Sequence, residues 1–236
     1  MILFCVPFAG GGIEVFAGWQ QELAPVAEVR VAELPGRGAR MGDPLIDDMP
    51  SLVTDLAEQC EDLSRGAYAL LGYSFGAYAA YALALRLAHT GRPPRRLFVG
   101  GSRAPFLPPR ERPRHRMSDI ELTAELRMMN GTTAEVLGNP ELMSIYLPIL
   151  RADFKIIETF PPVREPVPCP LTVFGANRDV HVPTRDLTAW TRLGDGKTEV
   201  RIHDGDHFVI RTDRSRICRE VRADLALDAL NPASRS

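Results

Sequence analysis

Short β-type runs recur along the chain, each stopped by glycine, proline or a turn: ILFCVPF (2–8), EVRVAEL (28–34), YALLGYS (68–74), RLFVGGS (96–102), PLTVFGA (170–176) and TEVRIHD (198–204). Segments of helical length lie between most of them, among them 51–65, 75–90 and 184–193, and 213–229 reads as a closing helix. Near-continuous apolar runs belong to strands covered on both faces, and strands that alternate with helices build a parallel sheet. The pattern predicts an α/β fold with a mostly parallel central sheet flanked by helices.

Hydrophobic residues make up 45% and charged residues 25% of the 236. That supplies a core of domain size with no need of staples. A net charge of −2 gives no general attraction to nucleic acid or to an anionic membrane. Of the 28 basic residues only Lys155 and Lys197 are lysine, an arginine excess that reads as coding bias before function. Cys5, Cys60, Cys169 and Cys218 lie far apart and form no CxxC pair. They indicate reduced thiols in a cytoplasmic protein, not a disulfide or zinc framework. The opening MILFCVPFAGGG has no basic n-region and meets proline and glycine quickly, so it reads as a first strand and not a signal peptide. No run approaches the ~18 apolar residues a membrane helix needs. The expectation is a monomer that binds neither nucleic acid nor membrane and holds no zinc framework.

One interval breaks the alternation. Residues 103–168 contain no convincing strand. RAPFLPPRERPRHRM opens them, kept irregular by its prolines, and SDIELTAELRMMNG follows with Ser118 and Glu121 spaced as a capping box and Gly131 near the stop. NPELMSIYLPILRADFKIIETF then reads as one or two more helices. A helical insertion leaving the carboxyl end of a strand sits over the sheet edge where α/β proteins bind ligands. The chain thus divides into a core, 1–102 with 169–236, and a helical lid, 103–168. Within the lid, Arg151 and Asp153 read equally as an intrahelical pair or as a lid-to-body pair.

At the join of two apolar segments stands Gly72-Tyr73-Ser74-Phe75-Gly76. By composition alone GxSxG arises in roughly one such chain in seventeen, so the spacing is modest support by itself. Its context is stronger: a strand precedes it, and the following helix is apolar on every face until Arg86. This is the nucleophile-elbow pattern of the α/β-hydrolase fold, in which a tight turn exposes the serine hydroxyl and the flanking positions must be small. The Phe75 N–H, opening the helix, points where an oxyanion would form.

A serine nucleophile needs a base. His89 follows the buried helix on the side of the sheet away from Ser74. His115 lies in the arginine-rich loop and reads as solvated. His203 lies within a strand, and His181 reads as a possible surface residue beside the acid candidate. His207 occupies the loop after the last strand, where the chain order Ser…Asp…His puts the base. For the acid, 96–102 is followed by no carboxylate until Glu111, whereas PLTVFGANRDV supplies Asp179. Asp179 would hold the imidazole in its productive tautomer. Asp206 ranks second, because adjacent side chains on a loop rarely face each other. A second oxyanion donor belongs to the loop after the first strand, PFAGGG: Ala9 N–H, with Phe8 as the alternative. Neither GGGIEVFAG nor GRGARMG has the GxGxxG spacing of a dinucleotide fold.

PFAGGG, LPGRGAR, GYSFGA, LPILRADFKIIETF, FGANRDV and GDHFVI together resemble the type II thioesterases of polyketide and nonribosomal peptide pathways, from residue 5 to about 210. The resemblance implies a discrete, cofactor-free editing hydrolase. Such an enzyme removes acyl groups from the phosphopantetheine arm of acyl- or peptidyl-carrier proteins. The family triad falls on Ser74, Asp179 and His207. The chain departs from the family in having Tyr73-Ser74-Phe75 where His-Ser-Met is more usual, and Val209 where a second aromatic is. Carrier proteins are acidic, so Arg110, Arg112, Arg114 and Arg116, after a strand's carboxyl end, are candidates for docking. A solvated arginine-rich loop is the plain alternative, and Arg92, Arg95 and Arg96 belong to the opposite edge. Three rivals share the fold: an oxygen-ester hydrolase, an acyltransferase and a non-catalytic carrier-binding module.

Overall fold

The computed structural model describes residues 1–61, 66–110, 112–129 and 131–230. The last four residues of the expected helix 51–65, together with Glu111 and the polar tail 231–236, lie outside them. The strands are β1 (Ile2–Val6), β2 (Glu28–Val31), β3 (Tyr68–Tyr73), β4 (Leu97–Gly100), β5 (Leu171–Ala176) and β6 (Thr198–His203). They form a wholly parallel sheet in the order β2-β1-β3-β4-β5-β6. Each expected run contains one strand, shortened where proline, glycine or polar residues stop the ladder.

Helices α1 (Trp19–Leu23), α2 (Met49–Gln59) and α3 (Phe75–His89) lie in the first half. Between β4 and β5 come α4 (Asp119–Met129), α5 (Ala134–Gly138) and α6 (Pro140–Thr159). Then follow α7 (Thr184–Thr188), α8 (Val209–Thr212) and α9 (Arg214–Leu230). The short α1 carries no strong sequence signal. The expected 184–193 helix is α7 followed by a tighter 3-10 turn, Ala189–Leu193.

Alternation along each strand divides the core. Phe4, Val6, Leu70, Val99 and Val173 face α2 and α3, while Leu3, Cys5, Leu71, Tyr73, Phe98 and Phe174 face α1 and α9. The four cysteines are buried and unbridged. At the start of β4, Arg96 is buried and holds Asp228 of α9 through Nε at 2.7 Å and Nη2 at 2.8 Å.

The capping box forms: the Ser118 N–H donates to Glu121 Oε2 at 2.8 Å, and the Glu121 N–H donates back to Ser118 Oγ at 3.3 Å. Helices α4 and α6 share a small apolar cluster of Leu122, Leu126, Met143, Leu147, Leu150 and Phe154, against which Ala9 packs.

The sheet order fixes where a ligand can sit. The chain runs from β1 outward to β2, then returns to lay β3 on the other edge of β1. At such a reversal the loops leaving neighbouring strands diverge and open a crevice at their carboxyl ends. The two loops flanking that crevice are Pro7–Gly12, after β1, and the turn at Ser74, after β3.

Candidate active site

From Tyr68 to Tyr81 every residue is buried except Ser74. Ser74 has φ 55° and ψ −114°, and it is the non-glycine residue with positive φ among those described. This conformation costs on the order of 1–3 kcal/mol and persists only where the surroundings enforce it. Here they do. The Ser74 N–H donates to the Gly100 carbonyl at 2.7 Å, and a Cβ on Gly72 would lie 1.9 Å from the Gly76 carbonyl oxygen. A Cβ on Gly76 would lie 2.1 Å from the Val6 carbonyl oxygen, so the turn also presses directly on β1.

The loop after β6 carries His207 back over this turn. His207 Nε2 is 3.1 Å from Ser74 Oγ, and its Nδ1 is 2.7 Å from Asp179 Oδ2. His207 and Asp179 are buried while Ser74 is partly exposed. Asp179 sits in the loop after β5, its other oxygen accepting the His181 N–H at 2.9 Å and the Val182 N–H at 3.1 Å. Burial acts to raise the Asp179 pKa. The hydrogen bond and charge of His207 and the two amides outweigh it, and hold the carboxyl below its ordinary value. Asp206 instead accepts the Phe208 N–H at 2.9 Å, closing its own turn.

The remaining histidines separate from this cluster, with one exception. His89 pairs with Glu165 on the surface. His115, expected to be solvated, is half-buried with Nδ1 2.6 Å from Glu158, because the 3-10 turn Arg114–Arg116 packs on α6. His203 is buried between Asp213 and Glu220. The ring of His181 stands edge-on to His207 at 5.9 Å.

Ala9 follows Phe8 in a four-residue turn closed by the Gly11 N–H donating to the Phe8 carbonyl at 2.9 Å. Gly10, its third residue, has φ 75°, as a type II turn requires. Ala9 and Phe8 line a cavity of about 30 Å³ together with Ser74 and His207. Its other walls are mostly apolar, from Leu126, Leu150, Phe154 and Phe208, with Thr132 and Tyr146 adding polar groups. A groove of about 500 Å³ adjoins it, sharing Phe8, Gly131, Thr132 and Tyr146. Gly131 belongs at that contact, since a Cβ there would lie 2.3 Å from the Phe208 ring.

Sequence reasoning gave no part in the site to Tyr73, Arg37 or Asp153. Tyr73 donates its phenol to the His207 carbonyl oxygen at 2.9 Å. Asp153 of α6 accepts the Gly10 N–H at 2.8 Å and a two-pronged ion pair from Arg37, at 2.8 and 2.9 Å. Arg151 stays within the insertion, donating to Asp119 at 2.5 Å and to the carbonyls of His115 and Met117. Arg151 and Asp153 thus form no intrahelical pair: Asp153 reaches Arg37 of the body, as the lid-to-body reading has it, and Arg151 reaches a second helix of the insertion. A carboxylate on the face of α6 that also carries Tyr146 and Leu150 was the signal, because a buried charge needs a partner.

Of the four arginines singled out, two are held. Arg110 pairs with the buried Asp186 at 2.8 Å, and Arg114 pairs with Glu125 at 3.0 Å and lies over the Phe154 ring. Arg112 is exposed, 3.5 Å from Glu121, and the exposed Arg116 turns its Nε toward His115.

A parallel sheet with its only strained serine at the strand reversal places the chain, among the described residues, with the α/β-hydrolases. The family model for a thioesterase domain matches residues 1–225. Gramicidin S biosynthesis protein GrsT of Aneurinibacillus migulanus is 34% identical over 95% of this chain and 90% of that protein. The structure of RedJ, the thioesterase of the prodiginine pathway in Streptomyces coelicolor, superposes with a TM-score of 0.88 at 34% identity, over 94% of this chain and 89% of that one. The type II thioesterase BorB of the borrelidin cluster superposes with a TM-score of 0.85 at 30% identity, covering 95% and 92%. The chain belongs to the thioesterase family and groups with the type II enzymes of polyketide and nonribosomal peptide pathways; it is a thioester hydrolase.

Proposed function

We propose that the protein hydrolyses acyl groups from the phosphopantetheine arm of acyl- or peptidyl-carrier proteins through an acyl-enzyme on Ser74. The observation that carries this reading is His207, set between the Ser74 hydroxyl at 3.1 Å and the Asp179 carboxylate at 2.7 Å. His207 takes the Ser74 proton as Oγ attacks the thioester carbonyl. The Ala9 and Phe75 amides stabilise the oxyanion, as backbone donors at such turns do. The intermediate collapses by breaking the C–S bond, and His207 returns the proton to the departing thiolate. Water, deprotonated by the same imidazole, then releases the acid and frees Ser74. Asp179 stabilises the imidazolium in both halves.

The small, mostly apolar cavity at Ser74 and the adjoining groove of about 500 Å³ are where the acyl group and its pantetheine arm would lie. Residues 103–168 act as a lid, since Leu126, Leu150 and Phe154 wall that cavity from above the sheet. The reading includes docking of the acidic carrier at Arg112 and Arg116, with Arg110 and Arg114 shaping the same loop. The enzyme acts as a monomer in the cytoplasm beside the synthase. Among the described residues no helix is long and apolar enough to cross a membrane.

The test is turnover of a panel of acyl-carrier proteins by wild type and Ser74→Ala. The wild type should release free acid, and the variant should neither turn over nor form an acyl-enzyme. Residual hydrolysis beyond a trace in the folded variant would refute the assignment.

A further inference from the structure

Three residues on one face of α6 bear on a single glycine. A Cβ on Gly10 would lie 2.4 Å from Tyr146 Oη and 2.8 Å from Leu150 Cδ2, so the backbone is pressed against the helix. One turn further along, Asp153 accepts the Gly10 N–H at 2.8 Å. The spacing of 146, 150 and 153 keeps all three on the same side of a helix.

Asp153 is itself held rigid. Its side chain is 4% exposed and that of Arg37 is 11% exposed, and the guanidinium grips both carboxylate oxygens. Arg37 Nη1 also donates to the Gly11 carbonyl at 3.3 Å, so the same cation reaches the far end of the turn. A charged acceptor of this kind makes a stronger hydrogen bond to an amide than a neutral one. The turn it grips contains Ala9. Rotating the Ala9–Gly10 peptide between the two common turn types would swing the Gly10 N–H away from the carboxylate.

We propose that Asp153, oriented by Arg37, is a positioning residue that fixes the turn Phe8–Gly11 so that the Ala9 N–H faces the tetrahedral oxyanion. The proposal rests on the reading of Ser74 as nucleophile and Ala9 as oxyanion donor. It ties the seat of the helical insertion to transition-state stabilisation, although Asp153 touches no reacting atom.

The test compares wild type, Asp153→Ala, Asp153→Asn and Arg37→Gln. Each is assayed on a small acyl-pantetheine thioester and titrated with an alkylboronic acid, which adds to Ser74 as a tetrahedral adduct. A misplaced oxyanion donor costs about 10²–10³-fold in rate when lost outright, so Asp153→Ala should lose on the order of 10- to 100-fold in kcat. Its KM should stay near wild type, and boronate affinity should fall in step with kcat. Asp153→Asn keeps an acceptor for Gly10 and should recover much of the loss.

Wild-type kcat in folded Asp153→Ala would overturn the proposal, as would a fall in kcat with unchanged boronate affinity. Should Asp153→Ala fail to fold, Arg37→Gln decides by the same two measurements: it should lose kcat and boronate affinity together, and wild-type values for both would overturn the idea. A wild type inactive on thioesters would sink the underlying reading instead, while the boronate series still scores Asp153.

Discussion

Tyr73 reaches across the sheet's edge to His207: its phenol donates a 2.9 Å hydrogen bond to the His207 backbone carbonyl, and the two rings meet edge-on at 6.0 Å. The residue immediately before the serine therefore braces the loop that carries the imidazole. Its ring has room because Gly100 and Gly101 lie beneath it, where a Cβ would come within 2.7 Å and 2.4 Å. Burial raises the Tyr73 pKa far above its ordinary value, so the phenol stays a donor.

Tyr73→Phe keeps the ring and leaves that carbonyl buried without its donor. Stability should fall by about 1–3 kcal/mol, the cost of stranding a buried polar group. kcat should fall with it as the His207 loop loosens, while KM holds. Thermal denaturation and steady-state kinetics check both, and an unchanged melting temperature would show that the bond is not needed.

Asp179→Asn should lower kcat by about 10⁴-fold, as expected when the orienting carboxylate of a serine triad becomes an amide. It should also change how stability depends on pH. The folded pKa of Asp179 lies below its unfolded value, so the folded protein binds that proton less readily. The resulting stabilisation is fully present above about pH 4 and is lost as the pH falls through the lower folded value. Unfolding free energies of wild type and variant, measured by denaturant from neutral pH into acid, should therefore converge as the pH drops.

Gly72→Ala and Gly76→Ala should each prevent correct folding. The added methyl in either case meets main-chain oxygen, at 1.9 Å and 2.1 Å respectively, and main chain cannot swing aside as a flexible side chain would. Losses above about 4 kcal/mol are expected, seen as insoluble expression or a collapsed melting transition. A well-folded Gly76→Ala protein would mean that α3 can slide relative to β1.

Arg112→Glu combined with Arg116→Glu should raise KM for acyl-carrier substrates several-fold and leave a free acyl-pantetheine thioester unaffected. The effect should shrink with added salt, since exposed charges are screened. Arg110→Glu should behave differently and lower the melting temperature, because it removes the 2.8 Å partner of the buried Asp186 carboxylate, sets a like charge beside it and leaves it Arg185 at 3.8 Å.

The strand–helix alternation was readable because each run is bounded by glycine or proline and because parallel strands need apolar residues on both faces. The approach of Ser74, Asp179 and His207 was readable from their positions just after β3, β5 and β6, whose carboxyl ends a parallel sheet brings to one edge. What lay hidden was pairing at long range. Arg37 and Asp153 stand 116 residues apart, and Arg110 and Asp186 stand 76 apart. No local periodicity encodes which carboxylate meets which guanidinium. Tyr73 was visible only as an unusual neighbour of the serine, since its partner is a main-chain oxygen and leaves no side-chain signature. His115 was misjudged because its surroundings are polar in sequence, whereas Glu158 of α6 covers it in space.

The grip of α6 on the first loop bears on how such enzymes can be recombined. Exchanging residues 103–168 for the matching segment of a relative would import a foreign helix face onto Gly10 and Arg37. Grafts that carry the glycine loop and the arginine along with the helix should inherit a working donor geometry. Grafts that move the helix alone should fold around their new specificity pocket yet catalyse poorly.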